Sequence, residues 1–181
     1  MIVRSPVFTT GSEVGKDNGD GWVQGAEVAF TWRWARGWTS SLSASVMEGE
    51  VEQRLALNSG GPPLFGDLPV LDAPMDRLMP AQGYLSTRWQ PGGASWWVEG
   101  RAWVMGRADK LSFRDERDTG RIPPGGTPGF MVGTLAAGID IDDSRRFWVG
   151  LENLGNVDYR VHGSGINGPG RNLLATLEVR F

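Results

Sequence analysis

The sequence contains no cysteine. A disulfide framework and thiol catalysis are therefore closed to it. Its one histidine, His162, excludes a metal site built from several imidazoles. No stretch approaches the roughly 18 apolar residues of a transmembrane helix. Met1–Gly15 lacks the long apolar segment of a signal peptide, so any export signal is expected outside this chain. A net charge of -3 and a pI near 5.2 argue against a nucleic-acid surface. Tyrosine is scarce, at two residues against nine tryptophans, and that imbalance is unusual for a soluble domain.

What remains is a glycine-rich chain with period-two alternation, the pattern of two-faced strands. The segment 21–34, "GWVQGAEVAFTWRW", puts Trp22, Ala26, Val28, Phe30, Trp32 and Trp34 on one face and Glu27, Thr31 and Arg33 on the other. After "ARG", Trp38, Leu42, Ala44 and Val46 oppose Thr39, Ser41, Ser43 and Ser45. The same alternation runs through "GYLSTRW", "WWVEGRAWVMG", "RFWVGLEN" and the closing "NLLATLEVRF", and more weakly through "FMVGTLAAGID", for seven strands in all. Met1–Ser5 is read as the possible end of an eighth, too short to span. The fold class expected is all-β: an antiparallel up-and-down transmembrane β-barrel segment of seven to eight strands, filling 1–181.

Connection lengths alternate. Short turns are expected at Ala35–Gly37, Gln90–Ala94 and about Asp140–Arg145, and long Gly/Pro/Asp-rich loops at Glu48–Pro80, Gly106–Gly129 and Leu154–Gly170. An outer-membrane barrel has this asymmetry, with short periplasmic turns and longer external loops. A membrane girdle of Trp34, Trp38, Trp89, Trp96, Phe147 and Phe181 is expected on the apolar face at the short-turn end, with Trp22 near the other. The lumen-facing set on the opposite parity is Glu27, Arg33, Arg88, Glu99, Arg101, Glu152, Glu178 and Arg180. Membrane lipid is the implied partner. The terminal strand ending in Phe181 looks like the signal read by the outer-membrane insertion machinery.

Several motifs are weighed and set aside. "GSGING", Gly163–Gly168, matches the dinucleotide pattern but is followed by Pro169 and a strand, not a helix. "KDNGDG", Lys16–Gly21, lacks the acidic spacing of a calcium loop. "RDERD", Arg114–Asp118, is read as a solvated charge cluster, with cation binding by Asp115 and Asp118 the lesser alternative, and His162 as structural or incidental beside Tyr159. No catalytic, metal or cofactor-binding residue is assigned, no enzyme activity is expected, and ligand-contacting residues are not identified.

Four segments carry a family resemblance: "LENLGNVDYRVHGSGINGPGRNLLATLEVRF", "RDERDTGRIPPGGTPGF", "PMDRLMPAQGYLSTRW" and "GDGWVQGAEVAFTWRW". Together they resemble the C-terminal barrel portion of TonB-dependent outer-membrane receptors. The resemblance implies a plugged barrel of roughly 22 strands in the outer membrane of a Gram-negative type cell. It implies active uptake of a scarce nutrient (a siderophore-type metal chelate, cobalamin or a carbohydrate), with the cargo itself undetermined. Plug domain and energy-coupling box are expected to be absent here, so the TonB system would act only through an N-terminal part. A passive porin-like or small structural barrel, and a soluble β-sandwich, stay open beside this reading.

Overall fold

The computed structural model describes residues 2–3, 17–18, 20–54 and 70–181. Strands dominate it: β1 Ile2–Val3, β2 Asp17–Asn18, β3 Gly21–Ala35, β4 Trp38–Arg54, β5 Val70–Pro74, β6 Gln82–Trp89, β7 Trp96–Met105, β8 Phe130–Asp140, β9 Arg145–Glu152 and β10 Asn172–Val179, with one short helix, α1 Phe113–Arg117. The large sheet is an antiparallel meander in the order β10-β9-β8-β7-β6-β4-β3, with β5 added on β4. Its seven long strands match the seven read from alternation, and the all-β barrel segment is the fold observed.

Two boundaries differ from the sequence reading. The loop expected from Glu48 begins later, because β4 continues to Arg54 and β5 returns alongside it, pairing Glu50 with Pro74 and Arg54 with Val70. The stretch "EGEVEQR" alternates charges rather than hydrocarbon, so it reads as a loop although its backbone pairs with β3 as far as Val51 and with β5 from Glu50 to Arg54. Of Met1–Ser5 only Ile2–Val3 is described, and it pairs with Asp17–Asn18 in a separate ribbon rather than with the large sheet. The "KDNGDG" segment is described only at Asp17, Asn18, Asp20 and Gly21, and Lys16 and Gly19 lie outside the described residues.

Register carries one parity across the whole sheet. Leu42 stands opposite Phe30 and Leu85, and Leu85 opposite Ala102. Val98 faces Ala137, Val149 follows it, and Ala175 completes the row. This apolar face is not a core. Val28 is 51%, Leu42 37%, Val104 45% and Leu177 61% exposed. That excludes the sandwich, whose core would have to bury these side chains.

The dry interior lies elsewhere, at the long-loop end on the opposite parity. Met105, Phe130 and Val132 are buried there, and Met79, Trp103, Val157, Tyr159 and Val161 pack on them. Trp103, Phe130 and Tyr159 form a ring cluster with centroids 4.8–6.1 Å apart. The closing loop supplies Tyr159, whose ring lies where a side chain at Gly168 would stand. The "GSGING" glycines therefore serve a loop folded onto the sheet, with strand β10 after it.

Candidate functional site

Three of the eight lumen candidates converge. Register sets Arg88 opposite Glu99, while Arg101 follows two residues along β7 on the same face. The Glu99 carboxylate accepts from Arg88 Nε at 2.7 Å and Nη2 at 2.6 Å, and from Arg101 Nε at 2.5 Å. Its side chain is 8% exposed. The Arg88 guanidinium lies 3.9 Å from the Trp97 ring centroid, and Arg101 is 5.9 Å from that of Trp148. Such stacking contributes about 0.5–2 kcal/mol.

Trp97, Trp103 and Trp148 were not foreseen on this face. Room for Trp97 and Trp148 comes from Gly138, which pairs with both tryptophans across the sheet. A side chain there would strike the Trp97 ring. Gly150 likewise stands against the Trp148 ring, 3.1 Å from where its Cβ would be. The ionic face is thus a lattice of paired charges laid over indole rings.

The other five candidates are more open. Glu178 takes Arg180 Nε at 2.8 Å and lies 4.0 Å from Arg146, which itself bonds Asp140 at 2.5 Å. Glu152 accepts from Asn172 at 3.3 Å. Glu27 lines a cleft of about 230 Å³ with Ser43, Ser45, Gln82, Tyr84 and Trp103. Arg33 stands opposite Thr39 and is exposed. Among the described residues, no group of three or more His, Asp or Glu is arranged to hold a metal ion.

The six aromatic girdle candidates sit at the short-turn end. Trp34 and Trp38 are 5.1 Å apart, Trp38 and Trp89 6.0 Å, Trp89 and Trp96 5.4 Å, an unbroken row of four indoles. Trp34 Nε1 donates to Ser40 Oγ at 3.1 Å, and that hydroxyl is 2.9 Å from Thr87 Oγ1. The Trp34 N–H and the two hydroxyls on this apolar face are thereby partnered. Phe147 is opposite Ile139, whose other neighbour is Trp96.

The row does not follow the hydrogen-bond direction. Trp38 pairs with Trp89, but Trp89 pairs with Val98, so Trp96 lies two residues nearer the short-turn end. Phe147 pairs with Leu177, and Phe181 lies four residues beyond it in the same direction. From β4 to β10 the row therefore slips six residues over five strand spacings. With about 3.3 Å per residue and about 4.8 Å between strands, it runs at about 40° to the perpendicular.

Above the sheet the long loops lock together. Asp115 on α1, 1% exposed, accepts the backbone N–H of Arg77 at 2.9 Å and faces its Nε at 3.4 Å. Arg77 also pairs with Asp118. Ser112 caps α1 by accepting the Asp115 N–H at 3.1 Å. The "RDERD" cluster is thus not the solvated face expected from its charge: one aspartate is fully buried and ties α1 to the loop before β6. His162 from the closing loop is buried too, with Nδ1 3.0 Å from Thr127 Oγ1.

Burial holds the His162 pKa below its ordinary 6.5; Asp115 opposes this and Arg77 adds to it. The neutral ring is the folded form. Its contribution to stability is complete above pH 6.5 and declines as pH falls toward the depressed value. Protease resistance of the loop layer should therefore fall between about pH 7 and about pH 5, the range over which histidine charges. His162→Gln should flatten that dependence; an unchanged slope would remove His162 as its cause.

The fold class these features define is an all-β, antiparallel barrel-wall segment. The solved copper transporter OprC is a structural neighbour, at TM-score 0.70 and 16% identity over 100% of this chain. The chain spans 26% of that transporter's length. No family model and no curated protein matches the sequence.

Proposed function

We propose that the chain is the C-terminal barrel wall of a TonB-dependent outer-membrane receptor, contributing to active uptake of a scarce nutrient rather than to catalysis. The exposed aliphatic parity carries this reading. An apolar surface running across seven strands needs a covering medium, since monomers in water keep such patches to a few hundred Å². Hydrocarbon bounded by an aromatic band fits it. The oblique row of rings adds support, because strands tilted 35–45° bring residues that slip in register to one height in the bilayer.

The ionic face would then look into the lumen, as part of a larger barrel of roughly 22 strands. The described sheet ends on β3 at one edge and β10 at the other, with no pair joining them. That arrangement favours partnership with further strands over a small closed porin. Uptake assays on cells carrying or lacking the gene decide between active and passive transport. Ferric chelates, cobalamin, oligosaccharides and copper are the cargoes to compare. Active uptake predicts loss of accumulation on deletion and equal loss when the proton-motive force is collapsed. Uptake indifferent to uncoupling contradicts it.

A further inference from the structure

The row of indoles ends at a cation. Arg36 forms the β3–β4 turn with Gly37, just past Trp34 and before Trp38 at the short-turn end of the sheet. The turn is fixed: Gln90 N–H donates to the Gly37 carbonyl at 2.8 Å, and Trp89 Cδ1 lies 3.6 Å from the space a Gly37 Cβ would fill. The Arg36 side chain is laid across the next turn, with Nε and Nη2 3.3 and 3.4 Å from where a Gly92 Cβ would be. It is exposed, and among the described residues no carboxylate pairs with it.

This differs from the third short turn, β8–β9. There Asp142 binds Arg145, Ser144 N–H and Ser144 Oγ, and Asp140 binds Arg146, so both arginines are neutralised within the protein. The turns at 36–37 and 90–95 contain no acidic residue at all. A guanidinium left unneutralised at the foot of an aromatic shelf calls for an anion with a hydrocarbon tail.

We infer that Arg36, Trp38 and Trp89 seat one phospholipid of the periplasmic leaflet, its phosphate on the guanidinium and its glycerol and first acyl carbons on the rings. Guanidinium holds phosphate through paired N–H donors, and indole prefers the same interfacial depth. The seat rests on the membrane reading proposed above.

The test uses the full protein that carries this chain, reconstituted into phosphatidylglycerol bilayers and re-extracted in mild detergent. Phospholipid retained per protein is counted by native mass spectrometry, and quenching of tryptophan by brominated phospholipid is recorded in parallel. Arg36→Gln should lower the affinity of one retained phospholipid about tenfold, the cost of a charge-assisted hydrogen bond. Gly92→Val, which displaces the guanidinium without removing it, should do the same. Arg36→Lys should keep part of the binding, and Arg107→Gln on the opposite end should change nothing. Quenching intact with Arg36→Gln retaining as much lipid as wild type overturns the seat alone. No quenching in any variant overturns the membrane reading beneath it.

Discussion

Glu99→Gln is expected to destabilise the barrel wall by about 2–3 kcal/mol. Removing one member of a buried ion pair typically costs about 3–5 kcal/mol, because the partner is left desolvated and uncompensated. Here two guanidinium groups depend on one carboxylate, but their side chains are 37% and 27% exposed, so solvent recovers part of the loss. The loss should appear as a lower denaturant midpoint in detergent at unchanged slope. Removing a cation at the same time (Glu99→Gln with Arg101→Gln) should cost less than the sum of the two single changes. Glu27→Gln, on the same parity but exposed, should stay within about 0.5 kcal/mol of wild type. Equal effects at Glu27 and Glu99 would show that the cluster is not a structural unit.

Asp115→Ala has the second large effect, and its location is the informative part. The substitution leaves the Arg77 backbone N–H without its acceptor and removes the buried carboxylate facing Arg77 Nε, a loss of about 2–4 kcal/mol. That free energy belongs to the loop layer, since Asp115 and Arg77 both lie outside the seven long strands. Local opening of this kind leaves the sheet folded. Trypsin added to intact cells should therefore cut within 106–129 at least about tenfold faster, with the denaturant midpoint of the sheet little changed. A fall in that midpoint without faster cleavage would place Asp115 in the global fold instead.

The strand plan was legible because each strand separates two environments, and alternation records that separation residue by residue. Trp38, Leu42 and Ala44 against Thr39, Ser41 and Ser43 needs no tertiary information. Trp97 and Trp148 escaped because a tryptophan on the ionic parity looks like an error in the pattern until its glycine partner is known. The signal was present in Gly138 and Gly150, whose missing side chains make room for the rings, but cross-strand register is needed to connect them. Asp115 was hidden by its neighbours. Five charges in five residues read as hydration, and only the spacing from Ser112 to Asp115 hints at a helix cap. Strand β4 ran past Glu48 because, beyond the apolar zone, a paired backbone no longer requires apolar side chains.

The ionic face was legible as a parity, but its division of labour was not. Arg88, Glu99 and Arg101 form a closed cluster, whereas Glu27 opens on a cleft and Arg33 has no ion pair among the described residues. Sequence spacing carries no information on which of several like residues will meet.

The central claim is directly measurable, because this chain has no cysteine of its own and single cysteines can be placed in it once any others in the full protein are replaced. Leu42→Cys, Ser43→Cys, Ala44→Cys and Ser45→Cys are spin-labelled in the full protein and their collision rates with oxygen and with a water-soluble nickel chelate compared in bilayers. The account predicts period-two alternation: 42 and 44 open to oxygen and closed to the chelate, 43 and 45 the reverse. Positions 42 and 44 shielded from both reagents, as in a dry protein interior, would contradict it.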